Sequence, residues 1–264
     1  MKKFVAALFT VAISAIGASA ADLPARTYTK APLVVAPIYN WTGFYVGVNA
    51  GGASGRIRDT LSIDDTGGFF NPPAVPGVAA SGSSKLNKSS FTGGVQAGYN
   101  WQSDQFVFGL EADFNSFRQS SSYGGTFLYT TNLAPYTLTV SRSTNWLMTF
   151  RPRVGIVTGN ALLYVTGGLA LTDFKFNQNF ADVDVESATI SKVKAGWTVG
   201  AGAEAQLGGN WSVKAEYLFA RFDVGSATGL LPGAVLTNSL TSLDEHIGRV
   251  GLNYRFGGPV VARY

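Results

Sequence analysis

The sequence predicts an all-β fold, an eight-stranded antiparallel up-and-down transmembrane β-barrel, and three observations lead to it. A two-residue alternation of large apolar and polar side chains recurs through most of the 264-residue chain, which is the period of a strand with one oily and one polar face. The stretches joining these segments run long, short, long, short, long, short, long. The first twenty residues have the form of an export signal, and no apolar run of helix length follows them, so any membrane crossing falls to strands.

The alternation is cleanest in the last strand, His246 to Phe256. Val250, Leu252, Tyr254 and Phe256 share one face, and Arg249, Gly251, Asn253 and Arg255 share the other. The first strand, Thr42 to Ala53, sets Phe44, Val46, Val48 and Ala50 against Tyr45, Gly47, Asn49 and Gly51. The second, Ser89 to Trp101, turns Phe91, Val95, Ala97, Tyr99 and Trp101 outward and Thr92, Gly94, Gln96, Gly98 and Asn100 inward. The third, Gln105 to Phe117, opposes Phe106, Phe108, Leu110, Ala112 and Phe114 to Val107, Gly109, Glu111, Asp113 and Asn115. The fourth, Thr144 to Val157, places Trp146, Met148, Phe150, Val154 and Ile156 outside and Thr149, Arg151, Arg153 and Gly155 inside. Pro152 lacks a donor, so a bulge or pairing gap is expected there.

In the fifth strand, Ala161 to about Phe176, the set Leu163, Val165, Leu169 and Leu171 is taken as outward, although Leu162 and Tyr164 compete. The sixth, Ser191 to Leu207, opposes Trp197, Val199, Ala201, Ala203, Ala205 and Leu207 to Thr198, Gly200, Gly202, Glu204 and Gln206. The seventh, Trp211 to Phe222, opposes Val213, Ala215, Tyr217 and Phe219 to Ser212, Lys214 and Glu216. Polar segments 54–88, 118–143, 177–190 and 223–244 read as long external loops, and 102–104, 158–160 and 208–210 as short periplasmic turns. Trp41, Trp101, Trp146, Trp197, Trp211, Tyr254 and Phe256, near strand ends, suit two interfacial girdles.

Residues 1–20 read as a signal peptide: Lys2 and Lys3, an apolar stretch from Phe4 to Ile16, and the small-residue motif Ala18-Ser19-Ala20. Residues 21–40, with Pro24, Pro32 and Pro37, read as an extended linker, 41–256 as the barrel and 257–264 as a tail. Without the two signal lysines, the 20 basic and 16 acidic residues leave a net charge of +2, too balanced and dispersed for nucleic acid. There is no cysteine, so no disulfide framework holds the fold.

The inward rows hold the candidate site, a lumen charge network of Glu111, Asp113, Arg151, Arg153, Glu204, Lys214, Glu216, Arg249 and Arg255. Glu111 and Asp113 lie on the strand beside Arg151 and Arg153, within cross-strand reach. An eight-stranded interior is only wide enough for side chains to fill, so a salt-bridged plug is favoured over an ion path. Gly200-Ala201-Gly202-Ala203-Glu204-Ala205 fits a dinucleotide fingerprint but lies inside a strand with no following helix. His246 is the only histidine; Ser242, Asp244 and Glu245 beside it form no nucleophile motif. Asp64-Asp65 and Asp182, Asp184 and Glu186 read as solvated loop acids rather than a calcium site. No catalytic residue, metal site or cofactor is expected.

Four stretches, ADLPARTYTKAP (21–32), NWTGFYVGVNAG (40–51), FVFGLEADF (106–114) and RVGLNYRFGGPV (249–260), resemble the small porin-family outer-membrane proteins of alpha-proteobacteria, within the OmpA-like and opacity-protein barrel group. The resemblance covers nearly the whole chain beyond the signal and is weak in the loops. It implies an eight-stranded barrel in the outer membrane of a Gram-negative cell and brings no catalytic motif. It also implies an aromatic assembly signal near the C-terminus; Phe256, beside Tyr254, has the typical place, but eight residues follow and end in Tyr264, so the signal is either Phe256 or Tyr264. The expected role is a structural, surface-exposed protein supporting envelope integrity. The alternatives are a loop-mediated adhesin or ligand-binding protein and a small-solute porin. Expected partners are outer-membrane lipid and lipopolysaccharide, the barrel-assembly machinery, and a host or extracellular ligand at the loops.

Overall fold

The computed structural model describes residues 39–257, with Ser84 and Leu86 described by backbone alone. The signal peptide, most of the linker and the tail with Tyr264 lie outside the described residues. Ten strands and one short helix follow in order: β1 Gly43–Asp64, α1 Val75–Gly82, β2 Ser84–Ser103, β3 Phe106–Leu128, β4 Pro135–Thr158, β5 Ala161–Ala181, β6 Val185–Gly208, β7 Trp211–Phe222, β8 Gly225–Leu231, β9 Ala234–Leu240 and β10 Leu243–Phe256. Each strand pairs antiparallel with its neighbours, and β10 closes onto β1 from Phe44↔Phe256 to Arg56↔Asp244. Eight strands, β1 to β7 and β10, thus form a ring.

Around the ring the outward rows are apolar. Val48, Val95, Phe108, Leu110, Phe150, Leu163, Val199 and Val250 are exposed on the outer wall, where only lipid tails would solvate them well. This fixes the facing of β5, whose Leu163, Val165 and Leu169 point outward while Leu162 and Tyr164 are buried. Aromatics border the apolar band on both sides. Phe44 stacks on Phe256, Tyr99 meets Trp101, and Trp211 meets Tyr254 at one rim. Phe114 stacks on Trp146, and Trp197 meets Phe219, at the other. Trp41 departs from the girdle expected for it: it is only 1% exposed and lies inside, edge-on to Tyr39.

At the lower rim the connections are two-residue turns, with positive φ at Asp104 (52°), Gly159 (61°) and Gly209 (54°). Near Pro152 the pairing of β4 with β5 runs from Phe150↔Leu169 to Arg153↔Thr166 without a register shift but with no pairs at Arg151 and Pro152. The missing proline donor leaves a gap rather than a bulge, and Thr166 Oγ1 donates to the Pro152 carbonyl at 2.9 Å.

The upper rim corrects the expected loops. β4 is 24 residues long, whereas about 9–11 tilted residues cross a bilayer. Most of 118–143, 177–190 and 223–244 is strand, and so are both ends of 54–88; the connections are 65–83, 129–134, 182–184 and 232–233, with short breaks at 223–224 and 241–242. The ladder between β2 and β3 stops at Gly93↔Ser116, and that between β6 and β7 at Gly196↔Phe222. Beyond these points β1 keeps pairing with β2 and then with β9, which pairs with β8. The strands β3 to β6 stay paired out to Leu128↔Pro135 and Ala181↔Val185. The ring therefore opens into two four-stranded sheets, β8-β9-β1-β2 and β3-β4-β5-β6, and among the described residues no ladder joins them.

The two sheets close over a shared apolar core. Ile57, Leu240 and Ala227 of the first meet Phe117, Val140, Phe174 and Ile190 of the second. Nearer the tip, Leu61, Leu231 and Leu236 meet Tyr136, Leu138 and Phe180. Helix α1 and the turn before it add Phe70, Ala74 and Val78 to that tip cluster. Asp65 shapes the turn by accepting the backbone N–H of Phe69 at 2.7 Å and of Phe70 at 3.1 Å. Among the described residues no helix is long and apolar enough to cross a membrane, which leaves a crossing by strands untouched.

Candidate functional site

The inward rows of the ring converge on a charged layer. Strand pairing sets Glu111 directly across from Arg151, Glu204 across from Lys214, and Glu216 across from Arg249. Closure then brings distant strands together. Arg151 Nη2 lies 2.7 Å from Glu111 and 2.8 Å from Asp113, and its Nη1 lies 3.2 Å from Glu216. Lys214 reaches across the lumen to both oxygens of Glu111 at 2.8 Å. Arg249 holds Asp113 at 3.0 Å and Glu216 at 2.6 Å. Arg153 pairs with Glu204 at 3.1 Å and stands 3.6 Å from Glu111. Four carboxylates meet four cations, so the layer is neutral as a whole.

Each carboxylate also accepts a neutral donor. Tyr45 donates to Glu111 at 2.7 Å and Tyr164 to Glu216 at 2.9 Å. Thr149 donates to Asp113 at 2.6 Å. Ser212 and Asn253 donate to Glu204 at 2.6 and 2.7 Å. Such satisfaction is what ionised groups require once water is excluded. The two tyrosine rings also sandwich Arg153, whose guanidinium carbon lies 4.7 Å from the Tyr45 centroid and 5.2 Å from that of Tyr164. Glycines make room for both rings: a Cβ at Gly98 would collide with the Tyr45 hydroxyl, and one at Gly202 would stand 2.5 Å from that of Tyr164. Gly202 belongs to the segment that fits a dinucleotide fingerprint, and its place in β6 against Tyr164 accounts for it.

Arg255 stands apart from this network. Its guanidinium donates to the Tyr39 hydroxyl at 3.1 Å and the Thr42 carbonyl at 3.0 Å, and stacks over the Tyr39 ring at 4.5 Å. It belongs to a floor of Tyr39, Trp41, Val107, Leu162 and Tyr164 beneath the charged layer. Sequence parity could not place it there, because Tyr39 and Trp41 come from the segment before β1. Above the charged layer begins the apolar core, with Leu147, Leu218 and Ile247 buried. Polar contacts interrupt that core, among them Asn238 donating to Gln178. Arg142 pairs with Asp59 at 2.8 Å, and Gln119 donates to Glu245 at 3.2 Å. Burial pushes the Asp59 carboxyl above its ordinary range, against the pull of Arg142.

The remaining candidates are dispersed. His246 faces outward and makes a 2.6 Å hydrogen bond with the Tyr217 hydroxyl. The Asp244 carboxylate is held by Arg221 at 2.6 and 2.7 Å. Asp182 accepts the Tyr129 hydroxyl at 2.7 Å. Among the described residues no cluster of three or more histidine, cysteine or acidic side chains could hold a metal ion. Tyr254 and Phe256 lie on the lower girdle, their rings 5.2 Å apart.

The comparisons with known proteins agree with this geometry. The family profile described as "Outer membrane protein beta-barrel domain" matches residues 7–256. The "31 kDa outer-membrane immunogenic protein" of Brucella melitensis biotype 1 is 36% identical over 250 residues, covering 93% of this chain and 96% of that protein. The "22 kDa outer membrane protein" of Rhizobium leguminosarum bv. viciae is 31% identical over 185 residues, covering 70% of this chain and 66% of that protein. Among solved structures, the outer membrane protein OprG of Pseudomonas aeruginosa is similar at a TM-score of 0.43 and 14% identity, covering 82% of this chain and 98% of that one, a likeness that carries no functional weight.

Proposed function

This chain belongs to the outer membrane protein β-barrel family and resides in the outer membrane, and from that premise we propose that it is a structural, surface-exposed element that supports envelope integrity without conducting solute. The neutral charged layer, bracketed by an aromatic floor and an apolar core, carries the reading. An eight-stranded interior filled at three successive levels leaves no continuous polar path. The same geometry argues against catalysis in the charged layer, since each of its four carboxylates is engaged by a cation and a neutral donor. The apolar outer wall takes outer-membrane lipid as its solvent, and the barrel-assembly machinery reads the terminal aromatics Tyr254 and Phe256. The head of paired sheets points to the cell exterior.

The test is planar-bilayer recording on the refolded mature protein, together with the detergent sensitivity of a strain lacking it. We expect no stable conductance steps and a more permeable envelope. Regular unitary steps would replace this reading with a small-solute pore. A second reading, recognition of an extracellular ligand by the head, draws support from an open hollow of about 750 Å³ whose lining includes Ser122, Ser141, Lys175, Asn177 and Thr189. Relatives named "immunogenic" fit a surface-exposed head. Cell-binding assays with a chain shortened to its ring would separate the two readings, since envelope support survives loss of the head and recognition does not.

A further inference from the structure

We infer that the outer wall, where the head rises from the ring on the side of β7, β10, β1 and β2, binds the phosphates of the outer leaflet's phosphorylated glycolipid, lipopolysaccharide. The inference rests on the outer-membrane reading with the head outside.

A hollow of about 290 Å³ lies there, lined by Arg56, Arg58, Arg221, Thr241, Ser242 and Asp244. Three guanidiniums around one recess form a donor set suited to a tetrahedral oxyanion, while the Thr241 hydroxyl donates to the Arg58 carbonyl at 3.1 Å and the Ser242 hydroxyl to Asp244. The cations exceed the local acids. Arg58 sits directly across from Lys85 in the β1–β2 ladder, and both are exposed. Like charges directly opposite destabilise a sheet, so an anion shared between them removes a standing cost. Arg56 is on the same face and donates to the neutral Asn87 side chain at 3.2 Å. Its cross-strand neighbour Asp244 is already held in two-point fashion by Arg221. Asp223 is the other acid near Arg221. The recess therefore keeps a net positive charge after its internal pairs are formed.

Its height on the wall selects the ligand. Along β7 the outward row runs Tyr217, Phe219, Arg221; along β2 it runs Phe91, Ser89, Asn87, Lys85; along β10 it runs Val250, Gly248, His246, Asp244. The cations follow the upper aromatic girdle by one to three outward positions, at about 7 Å per step of two residues. That is where headgroup phosphates lie when the girdle marks the interface. Directly below, Gly52 and Gly248 face each other in the β1–β10 ladder, and a Cβ at Gly248 would meet no atom within 4 Å. The bare wall leaves room for an acyl chain beneath its own phosphate. A soluble phosphate has no use for that second feature.

The experiment uses the full mature protein folded in a zwitterionic detergent, with bound lipid counted by native mass spectrometry. The probes are bisphosphorylated lipid A, the same lipid A stripped of phosphate, phosphatidylglycerol and inorganic phosphate. The variants are the triple R56Q/R58Q/K85Q and, on another part of the wall, R118Q. Folding of each is checked by heat-modifiable gel migration. We expect bisphosphorylated lipid A to bind at least about tenfold tighter than the stripped form, the size of one charge-assisted hydrogen bond. The triple variant should lose that preference and the control should keep it. Equal binding of stripped lipid A, equal binding of phosphatidylglycerol, equal competition by inorganic phosphate, or equal loss in the control each overturns the site. If the triple variant does not fold, R58Q alone is read against the same criteria. The orientation has its own test. A cysteine at Ser83 should label on whole cells with an impermeant reagent and one at Ser103 should not. Reversal there overturns the outward head while leaving the micelle binding result to stand or fall by itself.

Discussion

The ring and the head of this protein are built from the same strands with opposite chemistry. In the ring, β4 turns Met148 and Phe150 outward and Thr149 and Arg151 inward; in the head the same strand turns Thr137 and Thr139 outward and Leu138 and Val140 inward. β1 keeps one inward row from end to end, and that row passes from Tyr45 and Asn49 to Ile57 and Leu61. β10 changes in the same way, from Arg249 and Asn253 to Leu243 and Ile247. The solvent outside accounts for the reversal. Lipid rewards an apolar wall and leaves polar groups to satisfy one another inside, whereas water rewards a polar wall and drives apolar groups inside. One strand can thus belong to two kinds of fold, provided its pattern changes phase where the solvent changes, as in β1 and β10, or a bulge turns its faces over there, as in β4 between Ser143 and Leu147.

The largest expected effect tests the ring's interior. Arg151→Gln leaves Glu111, Asp113 and Glu216 short of a shared cation and should cost about 3–5 kcal/mol in urea unfolding from bilayers. Glu111→Gln in the same chain should recover part of that loss; strict additivity of the two would show that the pair is not coupled. Next comes the head's interior. Leu138 is fully buried in the tip cluster, and Leu138→Ala should cost about 2–5 kcal/mol. Because the head has its own core, we expect limited proteolysis to cut it first while the ring keeps its heat-modifiable migration. Simultaneous loss of both would make ring and head one cooperative unit.

The walls come third. Leu110→Arg on the lipid face should cost about 2–4 kcal/mol, whereas Thr139→Arg on the exposed wall of the head should change stability by no more than about 0.5 kcal/mol. Equal folding yields would erase the contrast of solvents. The smallest effect concerns pH. Because burial raises the Asp59 carboxyl above its unfolded value, the folded head holds that proton more tightly than the unfolded chain. The contribution of Asp59 is then greatest at acidic pH and declines as pH rises through the ordinary carboxylate range toward the raised folded value. Thermal melts of the head should show that slope in the native protein and a flatter one in Asp59→Asn; identical slopes would assign the dependence to other groups.

Much of the ring was legible from alternation, and the reason is local. Leu163, Val165 and Leu169 declare the outer face of β5 because a one-residue slip would turn all of them into the lumen. The strands of the head were not legible as strands. Ser120 to Tyr123 and Ser141 to Ser143 carry little apolar contrast, and the phase change near Phe117 and Leu147 breaks the pattern that a period-two reading follows. The register shifts between Ser116 and Gln119 and between Ser143 and Leu147 fall at the same level.

The sequence by itself determined which side chains of the ring strands face lipid, which charges of those strands from Glu111 to Arg255 face inward, and where the three tight turns lie, because each depends on spacing along one strand. It did not show the buried Asp59, Arg142 and Glu245, which lie outside the strands it marked. Only the tertiary structure decided which cation meets which carboxylate. Lys214 reaches Glu111 and Arg249 reaches Asp113 across the lumen, contacts fixed by ring closure and not by spacing along a strand. It also decided that Arg255 leaves the network for Tyr39, that Trp41 joins the floor, and that the wall parts into two sheets above Gly93 and Gly196. Those outcomes depend on how far apart the strands stand after the barrel closes, and no single strand carries that distance in its residues.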